Sequence, residues 1–190
     1  FWDWKPENDR DFTGASVVAK SQNPSQQDQY SQEFRYNYEG DKVDFVAGLF
    51  AFRQRIDTQG TEQQGIDATR YSLAPSTDPN NGYNRPDVLN GLTASNTQFL
   101  KADSAAFYGQ LSYKLTPELT IQPGIRVNYD KKEGFYQRVV TTGAGQVITN
   151  CSTAAQAGNP VLTAQCGVYQ PQLTQPSVSD WNFSYDLNIN

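Results

Sequence analysis

The chain has 190 residues, of which 37% are hydrophobic, 18% charged and 13% aromatic, with no histidine, no methionine and two cysteines. These figures exclude Ser-His-Asp and Cys-His catalysis, imidazole metal sites and a four-thiolate zinc site, and a net charge of −5 opposes binding to a phosphate backbone, so no nucleic-acid partner is expected. No run approaches the ~18 apolar residues of a membrane helix, and a mean hydropathy of −0.68 taken alone describes a soluble protein.

The chain opens at Phe1 without an initiator methionine and stops at Asn190 inside an alternating pattern, which reads as a segment of a longer polypeptide. Residues 5–28 are polar and irregular and are predicted to be a long loop. At 30–38 an alternation begins: Tyr30, Gln32, Phe34, Tyr36 and Tyr38 oppose Ser31, Glu33, Arg35 and Asn37. A period of two puts these sets on opposite faces of a strand. A short turn at 39–42, with Gly40 and Asp41, leads into a strand over 43–57. Its pattern is blurred, because Val46, Phe50 and Phe52 share the parity of Asp44 and Gly48.

Residues 58–98 are rich in Gly, Pro, Ser, Thr, Asn and Gln and are predicted to be a second long loop. A strand over 99–115 sets Ala105, Phe107, Leu111 and Tyr113 against Ser104, Tyr108, Gln110 and Lys114. The short turn 116–118 joins it to 119–140, where Leu119, Ile121, Ile125, Val127 and Tyr129 face away from Gln122, Arg126, Asn128 and Asp130. A third long loop is predicted at 141–180. It holds Cys151 and Cys166 in a stretch rich in Thr, Gly, Ala and Gln, the setting of a loop-closing disulfide in an oxidising compartment; the alternative is two free thiols. The final strand sets Trp181, Phe183, Tyr185, Leu187 and Ile189 against Asn182, Ser184, Asp186 and Asn188.

The fold expected is therefore all-β: an antiparallel meander of about six strands whose connections run long, short, long, short, long. Loops beyond ~12–15 residues are uncommon in compact domains, and three on one edge suit an outer-membrane barrel with long extracellular loops and short periplasmic turns. A soluble sandwich alternates too. The barrel is favoured by aromatics at the ends of the apolar face, by a mixed polar face suited to a wet or plugged lumen, and by a strand at 119–140 well past the ~9–11 residues that cross a bilayer. On this reading Phe34, Tyr36, Phe107, Leu111, Tyr113, Ile121, Ile125, Val127, Tyr129, Trp181, Phe183, Tyr185 and Leu187 meet lipid, and Glu33, Arg35, Gln110, Arg126, Asn128, Asp130 and Asp186 meet the lumen.

Particular segments resemble a known family. Gln29-Tyr-Ser-Gln-Glu-Phe-Arg-Tyr36 followed by Val43-Asp-Phe-Val-Ala-Gly-Leu-Phe-Ala-Phe52, then Phe107 through Glu133, then Ser184-Tyr-Asp-Leu-Asn188, resemble successive strands of TonB-dependent outer-membrane receptors. The resemblance covers about half of the chain; the long loops match nothing. It implies a plugged barrel of about 22 strands in the bacterial outer membrane, importing a scarce nutrient such as a ferric siderophore. A plug and a TonB box that engages the TonB–ExbB–ExbD complex would lie upstream.

The resemblance places ligand binding in the extracellular loops, where Tyr71, Tyr83, Asn84, Arg85 and Asp87 are candidates because tyrosine and arginine supply stacking and charge. An ordinary aromatic-bearing surface loop is the plainer reading of the same residues. Glu33, Arg35, Arg126 and Asp130 either line a substrate path or form lumenal ion pairs that hold register and meet the plug. Asp78-Pro-Asn-Asn-Gly82 and Glu7-Asn-Asp-Arg-Asp11 are oxygen-rich, but turn formation explains both. No catalytic residue, resident metal or cofactor is expected, and the protein is read as a non-enzyme. The rival functions are a plug-less outer-membrane barrel or adhesin, and a secreted β-sandwich that binds carbohydrate.

Overall fold

The computed structural model describes residues 1–7, 10–73 and 85–190. Its elements in chain order are β1 (Trp2–Trp4), β2 (Val18–Gln22), β3 (Ser25–Glu39), β4 (Val43–Gln64), α1 (Ala68–Ser72), a 3-10 turn at Pro86–Val88, β5 (Thr93–Thr116), β6 (Leu119–Thr141), β7 (Val147–Ile148), α2 (Thr153–Gln156), α3 (Pro160–Val168), β8 (Gln172–Thr174) and β9 (Ser177–Ile189). All the strands join one antiparallel sheet. β1, β3, β4, β5, β6 and β9 form an open meander, while β2 pairs with the upper end of β4 and β7 and β8 with that of β6. This is the architecture of one wall of a large barrel.

The alternation read in the sequence becomes two uninterrupted faces because the ladders keep register. β3 pairs with β4 from Ser25↔Thr58 to Glu39↔Asp44, and β4 with β5 from Val43↔Tyr113 to Gln63↔Thr93, with no shift. Directly paired residues share a face. Phe34, Leu49, Phe107, Val127 and Phe183 thus form one row of the apolar face, and Arg35, Gly48, Tyr108, Arg126 and Ser184 one row of the polar face. Phe50 and Phe52 fall on the polar face, as the blurred pattern of 43–52 suggested.

The strands are longer than periodicity showed, which shortens all three predicted loops. β3 starts at Ser25 rather than after 28, β4 runs on to Gln64, β5 begins at Thr93 and β9 at Ser177. Above the apolar region both faces of these strands are polar, so the ladder continues without a period-two signal to reveal it. The segment 141–180 is also not an irregular loop. Ser152 caps α2 through Ala155 N–H, and Asn159 caps α3 through Leu162 N–H, with Pro160 in the first turn.

The long-loop end of the sheet carries the only sizeable core among the described residues. Ala68, Val88, Leu89, Leu92, Ala94, Val140, Ile148, Cys166 and Tyr169 pack together, drawn from α1, the 3-10 turn, β5, β6, β7 and α3. Ala94 and Val140 are paired residues of the polar face, so this cap folds over that side of the sheet. Its two loops touch through bare backbone: Gly91, at φ +74°, lies so close to Gly143 that a Cβ there would stand 2.9 Å from the Gly143 Cα. Cys151 and Cys166 are joined by a disulfide that ties α3 to the loop before α2.

Candidate functional site

At mid-height on the polar face, β3, β5 and β6 bring together most of the charged residues singled out in the sequence. Arg35 Nε donates to the Tyr108 hydroxyl at 3.0 Å, that hydroxyl donates to the Glu33 carboxylate, and Arg35 Nη2 lies 3.6 Å from Glu33. The guanidinium carbons of Arg35 and Arg126 stand 5.9 and 6.0 Å from the Tyr108 ring centroid. The ring lies over Gly48, where any Cβ would collide with it. Tyr108 was not among the sequence candidates, although its pairing opposite a glycine is what lets two arginines bracket it.

Arg126 Nε donates to Asn128 at 2.8 Å, and Ser104 donates to Asp130. Beside them a hollow of about 580 Å³ is lined by Arg35, Tyr108, Gln110, Arg126 and Asp186 among others. Glu33, Arg35, Gln110, Arg126, Asn128, Asp130 and Asp186 therefore share one face, though Asp130 and Asp186 do not join the arginine pair.

The loop candidates are not gathered into a site. Tyr71 projects from α1, 72% exposed. Arg85 pairs with Asp87 at 2.8 Å, and that bond holds the Asp87 carboxyl below its usual range. Tyr83 and Asn84 lie outside the described residues, as does the Asp78–Gly82 turn. Glu7 accepts from Gln22 Nε2 and Asp11 from backbone N–H groups, and no cluster suited to a metal is present among the described residues.

The opposite face is organised by height. From the row Val43/Tyr113/Ile121/Ile189 to the row Ala51/Ala105/Tyr129/Trp181 the side chains of β4, β5, β6 and β9 are apolar or aromatic, and β3 adds Tyr36 and Phe34 before turning polar at Gln32 in the Ala51 row. These residues are exposed: Phe183 67%, Ile125 53%, Tyr185 88%. Tyr38 stacks on Phe45 at the short-turn end, and Tyr129 packs tilted against Trp181 at the other, 4.9 Å between centroids. The next two rows upward are ionic on every central strand. Arg53 meets Asp103 at 2.6 Å, Lys101 meets Asp103 and Glu133 at 3.2 and 3.5 Å, and Lys131 meets Glu133 at 2.7 Å.

The cap is anchored to the polar face by a buried tyrosine. Tyr169 OH donates to Glu62 Oε1 at 2.9 Å and accepts from Gln64 Nε2 at 2.6 Å, while Glu62 also binds Arg10 at 2.9 Å. Burial pushes the Tyr169 phenol up, which keeps it a donor. Gln165, also buried, donates to the Val88 carbonyl at 2.9 Å.

Among solved structures, the chain is similar to the ferric yersiniabactin uptake receptor FyuA from Yersinia pestis, with a TM-score of 0.56 at 18% identity over 98% of this chain. The chain spans 21% of the length of that receptor. The likeness shows the fold, an antiparallel wall of the kind found in a barrel receptor. No family model and no curated protein sequence matches the chain.

Proposed function

We propose that the chain is a wall segment of a TonB-dependent outer-membrane receptor, its apolar face against lipid and its polar face toward the lumen. The long loops then lie outside the cell and the short turns in the periplasm. The receptor captures a scarce nutrient, a ferric siderophore by analogy with the ferric cargo of the structural neighbour, and passes it inward with energy from the TonB–ExbB–ExbD complex. It does no chemistry on the ligand.

The observation that carries this reading is the level apolar belt. On β4 it runs from Val43 to Ala51, residues 43–51, and the paired strands match it. At ~3.3 Å per residue and a tilt of ~40°, nine residues cover roughly 23 Å, close to the ~25 Å apolar band of such barrels. A sandwich core gives no reason for the same face to turn ionic at one height on the three central strands, whereas a lipid–water boundary does.

Nitroxide labels test the reading in the full-length protein in bilayers. A label at Val127→Cys should be reached by oxygen and shielded from a nickel chelate, and one at Asn128→Cys should show the reverse. The two patterns exchanged would overturn the assignment. Uptake from a panel of ferric chelates should stop when TonB is deleted; uptake that continues without TonB would favour a plug-less barrel.

A further inference from the structure

We infer that the polar face just below the cap binds an aromatic carboxylate portion of the ligand, through Tyr136 flanked by Arg138 and Lys132. The inference rests on the receptor reading and gives that receptor's cargo a chemical class.

Four consecutive rows of the polar face carry it. On β6 they present Lys132, Gly134, Tyr136 and Arg138, and the residues paired with these across β5, β4 and β3 are neutral: Ala102, Leu100, Gln98 and Asn96, then Gln54, Ile56, Thr58 and Gly60, then Gln29, Gln27 and Ser25. No Asp or Glu occurs in these rows on this face. At the same height on the other face, Arg53, Arg55, Lys101 and Lys131 are all in ion pairs. Lys132 and Arg138 have no acidic partner among the described residues. Unpaired cations on one face, beside fully paired ones on the other, leave a positive strip that a ligand anion would complement.

The strip also has a shape. Between the two cations, which stand outside its lining, lies a groove of about 380 Å³ lined by Ile56, Thr58, Leu100, Tyr136, Thr174 and Pro176. Asn96 Oδ1 accepts from both Tyr136 OH and Arg138 Nε at 2.9 Å, so one amide fixes the ring and the guanidinium together. The Arg138 guanidinium carbon stands 5.7 Å from the Tyr136 centroid. Its Nη groups remain to receive a carboxylate while the ring and the aliphatic wall receive a flat apolar group. On β1, Trp2 and Trp4 stack at 5.8 Å, half exposed, on this same face in the Gly134 and Tyr136 rows, and they offer a second ring platform to a large ligand.

The test uses the full-length protein in detergent, its folding checked by heat-modifiable migration, and three matched probes read by ligand-observed NMR. Benzoate has a flat aromatic ring and charge, cyclohexanecarboxylate has the charge on a puckered saturated ring, and benzamide has the aromatic ring without the charge. Benzoate should bind best, with Arg138→Gln weakening it about tenfold and Tyr136→Leu about fivefold; Arg53→Gln, on the opposite face, should leave it unchanged. Equal binding of cyclohexanecarboxylate would overturn the specificity for a flat aromatic ring, and benzoate binding insensitive to Arg138→Gln and Tyr136→Leu would overturn the site. No benzoate binding to a folded, membrane-inserted protein would sink this inference and leave the receptor reading standing. A protein that is soluble and monomeric without detergent would sink both.

Discussion

The belt and the cap use the same kinds of residue in opposite ways. In the cap, Leu89, Leu92 and Val140 are fully buried against one another, fastened by a disulfide and by the Tyr169 hydrogen bonds. In the belt, Ile125, Phe183 and Leu187 are half exposed or more, on a face that no other part of the described chain covers. The cap supplies its own apolar environment, as soluble domains do. The belt has no such cover within the described chain, and on the proposed reading lipid supplies it.

That contrast makes different demands on mutation. The largest effect is expected in the cap: Leu89→Ala should leave a cavity costing about 2–5 kcal/mol, seen as faster amide exchange across 65–73, 85–92 and 141–170 while the belt strands stay protected. Ile125→Arg, at mid-belt, should cost about 2–4 kcal/mol when folding into bilayers is titrated with urea, whereas Asn128→Arg on the other face should cost far less. Equal costs on the two faces would mean that the belt does not meet lipid. Replacing both cysteines by serine should loosen the cap by about 3 kcal/mol, as expected for a closed loop with a sequence separation of 15, without altering the belt.

A smaller loss, about 1–3 kcal/mol, is expected for Tyr169→Phe, which removes the donor to Glu62 and the acceptor for Gln64 in a buried setting. The smallest effect is pH-dependent. Backbone N–H groups of Val18, Thr13 and Val17 hold the Asp11 carboxyl below its ordinary value. A depressed carboxylate contributes stability that is present above its unfolded pKa of ~3.9 and disappears as pH falls through the folded value. Amide exchange at Val18 should therefore accelerate below about pH 4 in the native protein and already be fast at neutral pH in Asp11→Asn.

The legible parts of the chain are those where one face is apolar and the other polar. Phe34/Tyr36, Phe107/Leu111, Ile125/Val127 and Phe183/Leu187 announce strand, face and register together, because a period of two sorts residues only when the two sides differ. Where both sides are polar, as in Thr58–Gln64 and Thr93–Gln98, the strands persist on backbone hydrogen bonding and read as loop. The site was half legible. Glu33, Arg35, Arg126 and Asn128 are identifiable by parity, but Tyr108 matters only through the Gly48 opposite it. Tyr136, Lys132 and Arg138 become a strip only when four strands are laid side by side. For α3 a local signal existed, Asn159-Pro160 ahead of Val161 and Leu162.

The alternating residues, with their short turns at 39–42 and 116–118, were enough to dictate an antiparallel meander with one apolar side, since side-chain direction in a strand follows from backbone geometry. Several ion pairs, such as Lys131 with Glu133, join residues two apart on one strand, but those that cross strands, such as Arg53 with Asp103, depend on pairing between residues fifty positions apart. The inward fold of the cap is of the same kind. Its core joins Ala68, Leu89, Val140 and Cys166, four residues with no local pattern in common, held together because each loop alone is too short to bury an apolar cluster.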